Sequence, residues 1–260
     1  MDLELGGKKV IITGGSKGIG LACAKVFLTE GASVTIVSRS TENLANAKNS
    51  LDKYGKIRSF CLDLTASKNA KKMVTTIKDE MGGIDILINS AGAAKQAPIA
   101  ELEMDSWQKA MDAKYFTYMF AIQAVLPLMR EQKSGNIVNI IGTGGKFPLP
   151  FHIPGGAANA ALMLTTSGLA GVVGDRNIRV NGVNPGYIKT ERLNHILDAK
   201  SRDTGINVND LEQKITSDIS IGRMGEPEDV ANLVAFLASS KSSYITGSNI
   251  QIDGGLSLAI

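Results

Sequence analysis

The residues best suited to holding a polyanion come early in the chain. The stretch TGGSKGIG, Thr13–Gly20, spaces its glycines as G-x-x-x-G-x-G, with Gly14, Gly18 and Gly20 in those places and Ser16, Lys17 and Ile19 between them. Residues without a Cβ let a backbone turn tightly against a pyrophosphate, and the free N–H groups of a helix starting there face the phosphates. The spacing is not the G-x-G-x-x-G of the long-chain dehydrogenases. Glycines also mark plain turns, so the reading leans on the strand before the loop and the helix after it. Where an NAD site usually carries a carboxylate for the ribose 2′-hydroxyl, about 20 residues past the glycines, this chain has the uncharged Ser38 followed by Arg39. Arg39 and Lys17 suit the doubly charged 2′-phosphate of NADP, so NADP(H) is expected in preference to NAD(H). The alternative is two solvated surface cations.

Those residues need a scaffold, and the apolar pattern supplies one. KVIIT (Lys9–Thr13) and SVTIVS (Ser33–Ser38) read as strands, as do apolar runs within IRSFCLDL, IDILINS, GNIVNII and IRVNGVNPG. Between them lie helical patterns. The first places Ile19, Cys23, Val26 and Phe27 on one face, and others cover Ala66–Met81, Ser106–Glu131 and Ala157–Val173. Continuous apolar strands alternating with helices imply a parallel sheet covered on both sides. The expected fold is one α/β domain over residues 1–260, a Rossmann-like doubly wound parallel sheet with helices on both faces. Ligands would then lie at the carboxyl ends of the strands. The polar segment Glu191–Glu228 reads as a substrate lid within that domain.

Bulk properties narrow the class. A chain of 260 residues that is 43% hydrophobic and 20% charged suits a single globular core. A net charge of +3 without a basic run gives no reason to expect nucleic acid. The start MDLELGGKKV is not patterned as a signal peptide, and no uninterrupted apolar run approaches the roughly 18 residues of a membrane span. A cytoplasmic protein without membrane attachment is expected, with Cys23 and Cys61 as buried reduced thiols.

With TGGSKGIG in place, Asp63-Leu64 follows the third strand, NSAG (Asn89–Gly92) the fourth and NPGYIKT (Asn184–Thr190) the sixth, while ITGSNIQIDGG (Ile245–Gly255) closes the chain. Over nearly its whole length the sequence resembles a classical short-chain dehydrogenase/reductase (SDR). The resemblance implies that Asp63 and Leu64 hold the adenine and that Asn89, Ala91 and Gly92 line the adenosine ribose. It also implies that Pro185, Gly186, Ile188 and Thr190 seat the nicotinamide carboxamide. A homodimer or homotetramer built on the two long helices, Ser106–Glu131 and Ala157–Val173, is implied as well.

The same resemblance exposes a departure. The family protonates its alkoxide from a tyrosine acidified by a lysine one helical turn on, with a serine polarising the carbonyl and an asparagine holding a water. Aligning IVNIIGTGG with the family's strand end puts the serine at Gly142. The tyrosine then falls at Gly155, the lysine at Asn159 and the asparagine at Lys114. Losing one positioned acid typically costs about 10² to 10⁴ in rate. Two residues could take over. His152, seven residues before Asn159, falls at the acid position of the divergent enoyl-reductase branch, and imidazole titrates near neutrality. Lys114 could stabilise an alkoxide or enolate, or bind a substrate carboxylate. The expected function is an NADP(H)-dependent oxidoreductase with a rewired site acting on a small carbonyl, alcohol or activated alkene. The first rival is a catalytically inactive NADP(H)-binding sensor or partner subunit. The second is a non-redox lyase or dehalogenase, disfavoured because such enzymes tend to lose the nucleotide loop that is intact here.

Overall fold

A computed structural model describes residues 1–92, 94 and 96–257. Seven strands form one sheet: β1 (Lys9–Thr13), β2 (Ser33–Ser38), β3 (Ile57–Cys61), β4 (Ile86–Asn89), β5 (Gly135–Ile140), β6 (Ile178–Pro185) and β7 (Asn249–Ile252). Their order is β3-β2-β1-β4-β5-β6-β7, and every pairing is parallel. Strands of this kind are buried on both faces. Within β1, Val10 and Ile12 join one apolar cluster and Ile11 the other, following the two-residue period of a strand.

Helices cover both faces. On one side lie α1 (Gly18–Thr29), α2 (Thr41–Leu51) and, packed on α1, α9 (Pro227–Ala238). On the other lie α3 (Ser67–Met81), α5 (Thr117–Gln132) and α6 (Ile153–Val173). The expected helix over 106–131 is a composite. Helix α4 (Met104–Ala110) passes through a π-helical segment, Met111–Phe116, into α5. Helix α6 begins at Ile153, earlier than the apolar pattern suggests, because Pro154 fits a helix's first turn, where its missing N–H is no loss. The segment expected as a lid folds into α7 (Glu191–Thr204) and α8 (Val208–Asp218). Leu193, Leu197, Leu211 and Ile215 form a small core of their own there.

The two thiols differ from expectation in one respect. Cys23 is buried in α1, but Cys61 is exposed. It is the last residue of the sheet's edge strand, where one side of the backbone has no neighbouring strand to cover it. By length and composition, the helical stretch Pro150–Arg176 could cross a membrane. A third of its apolar 18-residue window is buried within the fold.

Candidate active site

The dinucleotide end is built where β1 and β4 meet. The register sets Thr13 beside Asn89 and Asn89 beside Asn139. Their side chains form a buried chain: Thr13 Oγ1 donates to Asn89 Oδ1 (3.4 Å), Asn89 Nδ2 to Asn139 Oδ1 (3.0 Å) and Asn139 Nδ2 to Thr166 Oγ1 on α6 (2.9 Å). Thr13 Oγ1 also accepts from the backbone N–H groups of Ser90 and Ala91. Thr13, bonded to the Asn89 amide, thereby ties down the start of the 89–92 turn. Gly14 crosses that turn at φ +67°, and a Cβ there would lie 2.7 Å from Ala91, so only glycine lets the two loops meet. Helix α1 starts from Lys17 with no side-chain cap and no acidic residue in its first turn, leaving its N–H groups free for phosphate oxygens. This donor set fits a dinucleotide pyrophosphate.

The remaining cofactor candidates surround the same crevice. Asp63 is held below the usual carboxylate range by the Thr65 backbone N–H and, more weakly, by the Thr65 hydroxyl and Arg39. Leu64 is buried beside it. Arg39 is exposed at the end of β2. The Lys17 ammonium is already paired, 2.9 Å from the Glu191 carboxylate at the start of α7. Across the crevice, Pro185, Gly186, Ile188 and Thr190 line a cavity of about 770 Å³ that runs under α7 and α8.

Gly92, Lys114, Gly142, His152 and Asn159 line that cavity as well. Lys114 projects from the π-helical segment, is buried, and donates to the Ile141 carbonyl. Burial, reinforced by the Arg192 guanidinium, pushes its ammonium down to about 7. Burial, with Arg192 and Lys114 nearby, pushes His152 down to about 4, so its imidazole is neutral at physiological pH. Among the described residues its Nδ1 has no hydrogen-bond partner, and neither does Asn159 Oδ1. A Cβ on Gly155 would lie 2.0 Å from His152 Cε1: the imidazole fills the space a larger residue there would need. Gly142 sits at φ +124°, a conformation that side-chain-bearing residues rarely adopt, with Asn159 Nδ2 facing it.

Arg192, Tyr118 and Lys200 line the cavity without a sequence signal of their own, whereas Tyr187 follows the NPG turn, where a phenol near the nicotinamide could be expected. Arg192, half-buried, donates to the Gly92 carbonyl at 3.1 Å. Tyr118 donates to the Ile140 carbonyl at 2.7 Å, one helical turn beyond Lys114. Lys200, on α7, donates to the Tyr187 hydroxyl at 3.0 Å, giving a phenol–ammonium pair that comes from other elements than positions 155 and 159 of α6. Only tertiary folding brings α7 over the strand ends. His195 lies exposed on the outer side of α7, away from the cavity.

This is the architecture of a nicotinamide-dinucleotide oxidoreductase, and a family profile described as Enoyl-(Acyl carrier protein) reductase matches residues 14–257. The chain belongs to the classical short-chain dehydrogenase/reductase family of NAD(P)-dependent oxidoreductases. It is 35% identical to the 3-oxoacyl-(acyl-carrier-protein) reductase FabG of Thermotoga maritima over 255 residues, covering 98% of this chain and 99% of that protein. It is 31% identical to the 3alpha-hydroxysteroid dehydrogenase of Mediterraneibacter gnavus over 257 residues, covering 98% of each. L-Sorbose reductase of Gluconobacter frateurii, solved with NADPH and L-sorbose, superposes with a TM-score of 0.93 at 31% identity over 100% of both chains. NAD+-bound xylitol dehydrogenase also gives 0.93, at 26% identity over 97% of this chain and 100% of that one.

Proposed function

We propose that the protein is an NADP(H)-dependent reductase of a small carbonyl compound or activated alkene, with Lys114 as proton donor and His152 as a neutral hydrogen-bond partner. The observation that carries this reading is the Lys114 ammonium, buried in the cavity wall beside the strand ends and titrating near 7. A bound dinucleotide would supply the hydride. An acid poised near the working pH is the most effective proton donor, so Lys114 would protonate the oxygen or carbon left anionic. His152, which the resemblance to the divergent enoyl-reductase branch puts at the acid position, is too easily deprotonated for that role at neutral pH, but neutral imidazole can still orient and polarise an oxygen. The NADP(H) preference rests on Arg39, exposed beside Ser38 and without an ion-pair partner among the described residues.

The test has two stages. NADPH and NADH are first titrated side by side, with tighter binding of NADPH expected. NADPH oxidation is then followed against a panel of ketones, aldehydes and conjugated alkenes. Turnover that is lost in Lys114→Met and reduced in His152→Ala supports the assignment, and turnover intact in both variants overturns it. The rival reading, a dinucleotide-binding protein without hydride transfer, is favoured by the backbone at Gly142 and by the imidazole over Gly155, the positions where the resemblance expects a serine and a tyrosine. Tight NADPH binding with no oxidation by any compound would establish it. The homo-oligomer implied by resemblance would bury the outer face of α6, where Leu164 and Val172 are exposed; sedimentation would show a dimer or tetramer.

A further inference from the structure

We propose that the substrate is a carboxylate, held by Arg192 inside this cavity, which narrows the reaction to a small oxo acid or its hydroxy counterpart and rests on the oxidoreductase reading above. A guanidinium has five N–H donors in a rigid fork matched to a carboxylate. Among the described residues, Arg192 donates one hydrogen bond, to the Gly92 carbonyl. Neither Arg192 nor Lys114 stands in an ion pair there. Burial nevertheless disfavours the charge on both. Buried charges are ordinarily paired, because taking an ion out of water without a counter-charge is costly. Among the described residues these two cations face one cavity with no carboxylate paired to either, which leaves a place that a ligand anion fills.

The rest of the cavity wall fits this. Lys200 and Lys214 add two more positive groups, while Asp218, the wall's one carboxylate among the described residues, lies exposed one turn past Lys214. The other inner surfaces, from Ile141, Leu193 and Ile215, are apolar and would take a short carbon chain. With the acid group on Arg192, the carbonyl would lie toward Lys114 and His152. The dinucleotide's phosphates have their own donors at the start of α1. That a dinucleotide phosphate is instead the anion for Arg192 is the rival outcome.

Calorimetry separates the two. Butanoate and 3-oxobutanoate, their methyl esters and inorganic phosphate are titrated into the protein saturated with NADP+. The acids are expected to bind about tenfold tighter than their esters or more, the usual scale of a charge-assisted hydrogen bond. Arg192→Gln is expected to erase that preference. The inference is overturned if no acid binds, if acids and esters bind alike, or if phosphate outcompetes the acids. It is also overturned if Arg192→Gln weakens NADP+ binding and spares the acids. The comparison of acid with ester on the unaltered protein stands whether or not the variant folds. Because the readout is binding, acids that bind without being turned over count against the reductase reading and leave this inference standing. If NADP+ itself does not bind, the same titration on the free protein decides the matter.

Discussion

The His152 imidazole and Gly155 form a lock-and-space pair: a Cβ at position 155 would approach Cε1 to 2.0 Å, Nε2 to 2.3 Å and Nδ1 to 2.7 Å. Gly155 lies in the first turn of α6, where alanine would ordinarily stabilise the chain by roughly 0.5–1 kcal/mol. Here the sign reverses. Gly155→Ala is expected to cost about 1–3 kcal/mol through overpacking. His152→Ala in the same chain should recover most of that loss, which a double-mutant cycle of urea denaturations would read.

Gly142→Ser, the apparent repair of the family's serine, is expected to fail. The residue sits at φ +124° with Asn159 Nδ2 close by, so a side chain there costs on the order of 1–3 kcal/mol in backbone strain. A melting temperature below that of the unaltered protein, with no gain in NADPH oxidation, is the expected pair of results.

Lys114 sets the expected pH profile of reduction. With its ammonium brought down to about 7, kcat/KM for reduction should fall as pH rises through that value. Lys114→Met should remove the inflection together with about 10² to 10⁴ of the rate. Tyr187→Phe removes the cavity phenol that is paired with Lys200. If it abolishes turnover while Lys114→Met does not, the proton comes from the Tyr187–Lys200 pair instead.

Stability should respond to acid through His152. Its folded pKa of about 4 lies below the ordinary 6.5, so between these values the unfolded chain binds the extra proton. The neutral imidazole's contribution is complete above about 6.5 and disappears as pH falls toward 4, by at most about 3 kcal/mol. His152→Gln should flatten that limb of a stability–pH curve. The depressed Lys114 acts higher up: stability should rise with pH between about 7 and 10.5, a limb that Lys114→Met should remove.

The scaffold is readable in the sequence because its signals are local. Apolar runs such as KVIIT, and the glycines after it, announce strand, turn and helix within a dozen residues, and the sheet grows out of them. The cofactor crevice is legible for the same reason. The cation arrangement is not. Arg192 sits in a segment whose own pattern says only surface helix, and its place over Gly92 comes from folding residues 100 apart in sequence against each other. The neutral state of His152 is equally hidden, since a side chain's solvation is fixed by what covers it. Spacing locates the imidazole but cannot weigh its proton.

One wide turn has an evolutionary corollary. The segment Met111–Phe116 is wound with i to i+5 bonding, the mark of a single residue accommodated inside an ordinary helix. Deleting one residue there other than Lys114 would close the wide turn to an ordinary one, keeping α4 and α5 in phase but re-aiming the side chains within the turn. Lys114 would swing off the Ile141 carbonyl although no chemistry had been substituted. The reach of that amine therefore depends on chain length as much as on residue identity.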